Sequence, residues 1–270
     1  MNGMDVGRWD WLLLSVAVAT LASLAYWLLA YTAAHPRVPA AVAVVKRVVD
    51  SPWITQPLRL AYAVGLPAVL LFSLGALTTR GLGLKPLPTF SPLDDLAGWS
   101  AVQWTEWAGD IGWAVLVAAI TFLLVGFGDR VARQGAPVER RSRHDLAISL
   151  REAVYYQVHW AFYRESFVVM WGMRAGSWLG ALPVALEALL NPMLWERMRG
   201  DDRVYARQVV VRGGLYAATT LIFLQTQNLW VALVADAALG WILLPVPLAA
   251  PVPAPADTPT IPALTGVKRP

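Results

Sequence analysis

The chain has 270 residues, of which 57% are hydrophobic and only 15% are charged. Soluble domains typically contain about 45–50% apolar and about 25% charged residues, so this composition indicates a membrane environment. The absence of cysteine excludes disulfides, thiolate zinc sites, iron–sulfur clusters and cysteine nucleophiles. The net charge of +4 comes from basic residues grouped in loops, which favours a topology signal over a nucleic-acid-binding surface.

Several stretches are long enough to cross a bilayer, which takes roughly 20 mostly apolar residues per helix. We predict about seven transmembrane helices, within a range of six to eight, at residues 11–33, 58–78, 111–127, 145–165, 166–190, 213–225 and 228–244. The first stretch is longer than the core of a signal peptide, which favours a retained span. The sequence therefore predicts an all-α, polytopic helical membrane bundle.

The predicted spans fall into two membrane regions followed by a tail. Residues 1–144 hold three spans and two interfacial segments, at 37–56 and 80–110. Residues 145–244 form a second bundle that carries nearly all the polar residues expected inside the membrane. Residues 245–270 are rich in Pro and predict a disordered tail.

Basic residues give the predicted orientation. The loops at 37–59, 130–143 and 197–212 carry four, five and five Lys or Arg, whereas the loop at 80–110 carries two. Because cytoplasmic loops carry the excess, we expect the N-terminus outside and the C-terminus in the cytoplasm of a bacterial plasma membrane. This topology requires 145–165 and 166–190 to be separate spans; if the first of them lies in the interface, six spans remain and part of the topology inverts.

The richest polar segment is predicted to present one stripe along a helix. Glu152, Tyr156, His159 and Tyr163 follow at i, i+4, i+7 and i+11, which places them on one face. Glu152 and His159 could activate a water together, with Glu as base and His as orienter or proton shuttle, or supply two ligands to a metal. The alternative is that the stripe packs against other helices through hydrogen bonds. No particular metal or cofactor is indicated.

A second group of polar residues lies near the C-terminal end of the membrane region. Asn228 is predicted to stand at the start of the last helix, and Asp236 lies two turns further in an apolar stretch. A lone intramembrane Asp should face a partner. Its candidate partners are Glu152, His159 and Arg174. We expect structural roles for Arg174 and Glu187, and assign no role to the loop residues His35 and His144.

These segments resemble the CAAX-protease and bacteriocin-processing (CPBP) family of intramembrane proteases. Residues 151–156 resemble its Glu-Glu-x-x-x-Arg motif, with Glu152 as the second Glu, Arg151 in place of the first and Tyr156 in place of Arg. Asn228-Leu229-Trp230 resembles the terminal motif, in which Asp236 stands where the family has His and Gly240 replaces a polar residue. The Phe-x-x-x-His motif has no counterpart with a histidine. The resemblance covers residues 145–244 and implies a helical bundle with a polar site inside the membrane.

Three functional hypotheses follow. The resemblance suggests a degenerate CPBP-like hydrolase acting on membrane-anchored peptides, with an altered site of Glu152, His159, Asp236 and Asn228, or an inactive relative. The second hypothesis is a non-catalytic helical subunit of a larger membrane complex, because the 14 tryptophans and the small-residue spans suit packing against partner subunits. The third is a transporter, although no internal repeat supports it.

Overall fold

A computed structural model of the protein describes residues 3–35, 39–72, 77–85, 101–133, 143–199 and 203–244. Within these ranges the regular structure is entirely helical, which confirms the predicted all-α class. The elements are α1 (Gly3–Ala33), α2 (Ala40–Val49), α3 (Pro52–Leu60), a π-helical segment (Ala61–Gly65), α4 (Leu66–Phe72), α5 (Thr79–Leu82), α6 (Ala101–Arg133), α7 (Arg143–Leu179), α8 (Ala181–Leu189), α9 (Pro192–Arg199), α10 (Arg203–Thr226) and α11 (Leu229–Leu243). The predicted tail and residues 86–100 of the predicted outer loop lie outside the described residues.

Three helices are long and apolar enough to cross a membrane. They contain the stretches Trp9–Ala33 in α1, Trp104–Gly128 in α6 and Tyr205–Thr226 in α10, and α11 is a shorter apolar helix. The protein is therefore a helical integral membrane protein by length and composition. These stretches include the predicted spans at 11–33, 111–127 and 213–225, while α6 and α10 begin earlier in the chain than predicted.

The helix α7 turns back on itself at Gly172. This residue has φ 74° and ψ 171°, a conformation that only glycine adopts readily. After the turn the chain returns along its own path, because an added Cβ at Gly176 would lie 2.4 Å from the Cα of Val168, and one at Gly180 would lie 2.7 Å from the Cα of Arg164. The two predicted helices of this region thus meet at Gly172 and not between residues 165 and 166. His144, predicted in a loop, falls in the first turn of α7.

The arm of α7 before the turn is the centre of the molecule, and residues 159–167 are all buried. Phe162 and Phe167 pack in an apolar cluster with Leu12 of α1 and Leu70 of α4. The helices α10 and α11 also pack against α7 and, in turn, against α6. Both regions proposed from the sequence, 1–144 and 145–244, therefore contribute side chains around α7.

The short helix α2 has no buried residue and contacts α1 through its polar end. Asp50 accepts hydrogen bonds from Lys46 at 2.5 Å and from the Tyr26 hydroxyl at 2.9 Å. The hydrogen bond from the Lys46 ammonium lowers the pKa of Asp50 below its ordinary value. These contacts hold the C-terminal end of α2 beside α1, directly before α3 begins at Pro52.

Candidate functional site

The densest polar cluster surrounds Glu187 of α8. Its Oε1 accepts a hydrogen bond from the Tyr62 hydroxyl at 2.5 Å and another from the Tyr163 hydroxyl, and it lies 3.4 Å from Nε2 of His159. The Ser15 hydroxyl lies 3.0 Å from the Tyr62 hydroxyl and 2.9 Å from that of Tyr163. Side chains from four elements therefore meet in one hydrogen-bonded cluster. We call these five residues the Glu187 cluster.

A local change of helix type positions Tyr62 in this cluster. Pro67 has no N–H to donate to the carbonyl four residues earlier, which disturbs the α-helical ladder around it. The N–H of Leu66 instead donates to the carbonyl of Ala61, five residues back, and residues 61–65 form a π-helical turn. Such turns occur frequently at functional sites. Here the turn places the Tyr62 hydroxyl within reach of α1, α7 and α8.

His159 is held mainly by aromatic rings. Its ring centroid lies 4.4 Å from that of Tyr163 and 4.8 Å from that of Tyr62. The Nε2–Glu187 distance of 3.4 Å is long for a hydrogen bond. The other ring nitrogen, Nδ1, is buried and has no hydrogen-bond partner among the described residues. His159 therefore has a carboxylate beside one imidazole nitrogen and no described partner at the other.

Glu152 forms an ion pair with Arg59 of α3. The two guanidinium nitrogens of Arg59 donate to the two carboxylate oxygens at 2.9 and 2.6 Å, and Arg151 adds a contact at 3.1 Å. The guanidinium of Arg59 also lies 5.2 Å from the ring centroid of Tyr155. Both oxygens of Glu152 are thus engaged by cations, in the bidentate geometry that Arg and a carboxylate favour.

Asp236 lies on α11 and faces α7. Its Oδ2 accepts a hydrogen bond from Nε2 of Gln157 at 3.2 Å, and both side chains are fully buried. Oδ1 of Asp236 and Oε1 of Gln157 have no hydrogen-bond partner among the described residues. The partners predicted for Asp236 were Glu152, His159 and Arg174. None of the described hydrogen bonds joins it to them, and Arg174 is exposed.

Asn228 acts at the start of α11, where the sequence placed it. Its Oδ1 accepts hydrogen bonds from the backbone N–H groups of Trp230 at 3.1 Å and Val231 at 3.4 Å, which is the geometry of an N-cap. Its Nδ2 donates to Asp110 of α6 at 3.0 Å, and the same carboxylate oxygen lies 2.8 Å from the ammonium of Lys85. Asn228 therefore joins two helices and caps one of them.

Two further charged residues, Arg164 and Glu165, are buried in the arm of α7 before the turn. Glu165 accepts hydrogen bonds from the backbone N–H of Thr78 at 2.7 Å and from its hydroxyl at 2.9 Å, ahead of the short helix α5. The guanidinium of Arg164 lies 3.6 Å from the ring centroid of Phe223. Neither residue was predicted as a site residue. The contacts tie α5 and α10 to the central helix.

The four predicted site residues do not form one site, because each contacts different partners. Glu152 pairs with Arg59, His159 joins the Glu187 cluster, Asp236 pairs with Gln157, and Asn228 caps α11. Among the described residues, no group of three or more His, Asp or Glu side chains is arranged to hold a metal ion. The Glu152–Arg59 ion pair is a contact between α7 and α3.

Sequence reasoning missed the centre of the polar interior. Glu187 was expected to play a structural role, and Ser15 and Tyr62, which lie in the predicted spans 11–33 and 58–78, were not among the candidate site residues. One signal was available, because Glu187 is the lone charged residue of the apolar helix Ala181–Leu189. An ionisable residue inside a membrane segment is a candidate functional residue by default.

No protein-family model, no curated protein and no solved structure matches this chain. The resemblance to the CPBP family therefore rests on the residue motifs alone.

Proposed function

We propose that this chain is an inactive relative of the CPBP intramembrane proteases, which acts by binding other membrane components and does not hydrolyse peptides. The observation that carries the proposal is the ion pair between Arg59 and Glu152. Glu152 is the one family carboxylate retained in the motif, and both of its oxygens accept hydrogen bonds from Arg59. A general base must instead lie within hydrogen-bond reach, directly or through one water, of the proton that it abstracts.

The other family positions support the same proposal. Asn228 uses its side chain to cap α11 and to bind Asp110, and Asp236 shares a hydrogen bond with Gln157. Each side chain stabilises a contact between helices, as polar residues commonly do in membrane bundles. The role that remains is that of a helical subunit or binding partner, the second hypothesis drawn from the sequence.

We further propose seven spans with the N-terminus outside and the C-terminus in the cytoplasm. Two contacts support a chain that crosses the membrane back and forth. Trp9 at the start of α1 packs on Trp171 at the turn of α7, while Trp27 near the other end of α1 binds Glu196 of α9. The basic residues of α2, α9 and the start of α10 then share one end of the bundle. By the positive-inside rule this end is cytoplasmic.

The test is a peptidase assay on the full-length protein in liposomes, with membrane-anchored peptides as substrates. We expect no cleavage above that of protein-free liposomes, and no difference between the wild type and Glu152→Gln. Cleavage that Glu152→Gln abolishes, and that the exposed control Glu196→Gln leaves intact, would overturn the proposal in favour of an active hydrolase.

A separate experiment tests the proposed orientation. An epitope tag is placed at each terminus, and its accessibility to protease in sealed vesicles shows on which side that terminus lies.

A second candidate function is proton transfer within the membrane, as in a transporter. It is favoured by the position of Glu187 beside Nε2 of His159 and by Nδ1 of His159, which is buried and has no hydrogen-bond partner in the part of the chain that the structure describes. Chains of His, Glu and hydroxyl groups form proton relays in membrane proteins. This candidate predicts a proton flux across proteoliposomes, read with a pH-sensitive dye inside them. The flux should disappear in His159→Gln and persist in His35→Gln, which changes an exposed histidine.

A further inference from the structure

An apolar groove lies on the surface between α3 and α7. It has a volume of about 430 Å³. It is lined by Pro52, Trp53, Gln56, Pro57, Leu60 and Tyr155. The α3 residues recur every three or four positions and so form one face of the helix, while the Tyr155 ring forms the facing wall. The groove is open on the outside of the bundle, where acyl chains surround a membrane protein.

The end of the groove beside Arg59 carries an excess of positive charge. Arg59 and Arg151 both bind the single carboxylate of Glu152, which leaves one guanidinium charge uncompensated within this trio. The guanidinium of Arg59 lies 5.2 Å from the ring centroid of Tyr155, so the charge borders the groove wall. The side chain of Arg59 is 41% exposed and that of Arg151 is also accessible. The last turn of the preceding helix α2 carries Lys46 and Arg47, of which Lys46 is paired with Asp50.

One polar atom of the groove lacks a partner. Oε1 of Gln56 is buried and accepts no hydrogen bond from any described residue. A buried acceptor without a donor is unfavourable, so an occupant that brings a hydroxyl group would gain from binding here. The neighbouring Trp53 is 89% exposed, as expected of a tryptophan at the boundary between lipid headgroups and acyl chains.

We propose that this groove binds one anionic phospholipid with a hydroxyl-bearing headgroup, of the phosphatidylglycerol kind. An acyl chain packs on Pro57, Leu60 and Tyr155, the phosphate faces Arg59 and Arg151, and a headgroup hydroxyl donates to Gln56. A second copy of the chain is the weaker occupant, since a stable protein interface buries roughly 800 Å² per partner and six side chains do not supply that area.

Native mass spectrometry of the full-length protein released from detergent micelles tests the proposal. Phosphatidylglycerol and phosphatidylcholine with identical acyl chains serve as probes. We expect one tightly retained phosphatidylglycerol per chain, bound at least about fivefold more tightly than phosphatidylcholine, which corresponds to about 1 kcal/mol. Leu60→Trp fills the groove and should weaken phosphatidylglycerol binding by at least about fivefold. Leu58→Trp is the matched control, because Leu58 lies on the same helix but does not line the groove.

Both leucines are exposed, at 48% for Leu60 and 64% for Leu58, so neither variant disturbs the core. Equal binding by the two variants would overturn the site, as would equal affinity of the wild type for both lipids. If the wild type appears as a lipid-free dimer, and Leu60→Trp abolishes that dimer, a second copy of the chain occupies the groove and the lipid proposal is overturned.

Two more variants separate the charge from the hydroxyl contact. Arg151→Gln removes the excess charge and should abolish the preference for phosphatidylglycerol over phosphatidylcholine. Gln56→Leu should leave that preference intact. It should make the affinities for phosphatidylglycerol and for phosphatidic acid, whose headgroup lacks the glycerol hydroxyls, equal. An unchanged lipid profile in both variants would contradict the proposed recognition of the headgroup. The proposal does not depend on whether the chain is inactive as a protease.

Discussion

The helices α6 and α7 are similar in length but opposite in character. They have 33 and 37 residues, respectively. The membrane-spanning stretch of α6 is strongly apolar, yet only 6% of it is buried inside the protein. In α7, by contrast, residues 159–167 are all buried although they include His159, Arg164 and Glu165. The more apolar helix is therefore at the edge of the bundle, and the more polar helix is at its centre.

This difference follows from the bilayer as solvent. An apolar side chain gains little by leaving lipid for the protein interior, because acyl chains are as apolar as leucine. A polar side chain must find a partner, and only other helices offer one. Hydropathy therefore predicts which helix faces lipid, and polar residues predict which helix is central. The face of α6 that carries Leu123, Leu124 and Phe127 is exposed accordingly.

The largest expected effect compares two phenylalanines of these helices. Phe162 of α7 is 1% exposed, whereas Phe127 of α6 is 71% exposed. Phe162→Ala leaves a cavity and removes packing contacts that lipid cannot replace inside the bundle, so it should lower the free energy of unfolding by about 3–4 kcal/mol. The ring of Phe127 already faces the outside of the bundle, so Phe127→Ala should leave the free energy of unfolding nearly unchanged. Unfolding by increasing fractions of SDS in mixed micelles, followed by circular dichroism, measures both. Similar losses in the two variants would show that α6 packs against protein through its apolar face.

The next effect concerns the polar contacts of the central helix. Glu187→Ala leaves Tyr62, Tyr163 and His159 without their shared acceptor, and should cost about 3 kcal/mol, since each unsatisfied group costs about 1–3 kcal/mol when buried. Glu187→Gln keeps an acceptor oxygen and should recover part of the loss. The matched control is Glu196→Ala on the exposed helix α9. An equal cost for Glu187→Ala and this control would mean that the cluster does not stabilise the bundle.

Glycine substitutions extend the comparison to the backbone. Gly172 at the turn of α7 has a positive φ, and Gly112 lies within regular helix in α6. An added Cβ meets no other atom within 4 Å at either position, so only backbone preference differs. Gly172→Ala should destabilise by about 2 kcal/mol. Gly112→Ala should stabilise by about 0.5–1 kcal/mol, because alanine favours helix. The same SDS titration reads both, and a stabilised Gly172→Ala variant would contradict the turn.

Hydropathy and local capping were sufficient to predict much of the fold. The spans in α1, α6 and α10 follow from the lengths of their apolar runs, and the start of α11 follows from Asn228 ahead of such a run. The turn at Gly172 was not predicted at its residue, because apolar residues flank it and the sequence around it reads as continuous helix. A single glycine in a helical pattern does not reveal its φ.

The polar partners could not be predicted, because they are far apart in the chain. Glu152 and Arg59 are separated by 93 positions, and Glu187 and Tyr62 by 125. Helical periodicity places Glu152 and His159 on one face of α7 but gives no information on which residues of other helices meet that face. The stripe was therefore found, whereas its distribution over an ion pair and a separate cluster required the tertiary structure.

The last prediction concerns a polar contact of the apolar helix α6. This contact is an exception to the contrast between an apolar α6 and a polar α7. Asp110 is buried and accepts a hydrogen bond from Asn228, which also caps α11. Asn228→Ala removes both the cap and the link and should cost about 1–2 kcal/mol, whereas Asn228→Ser keeps a capping hydroxyl and should cost about half as much. The difference between the two variants isolates the cap, and the residual cost of Asn228→Ser reports the link to α6. If Asn228→Ser is as stable as the wild type, α6 is held to the bundle by apolar packing against α10 and α11, and the carboxylate of Asp110 serves Lys85 instead.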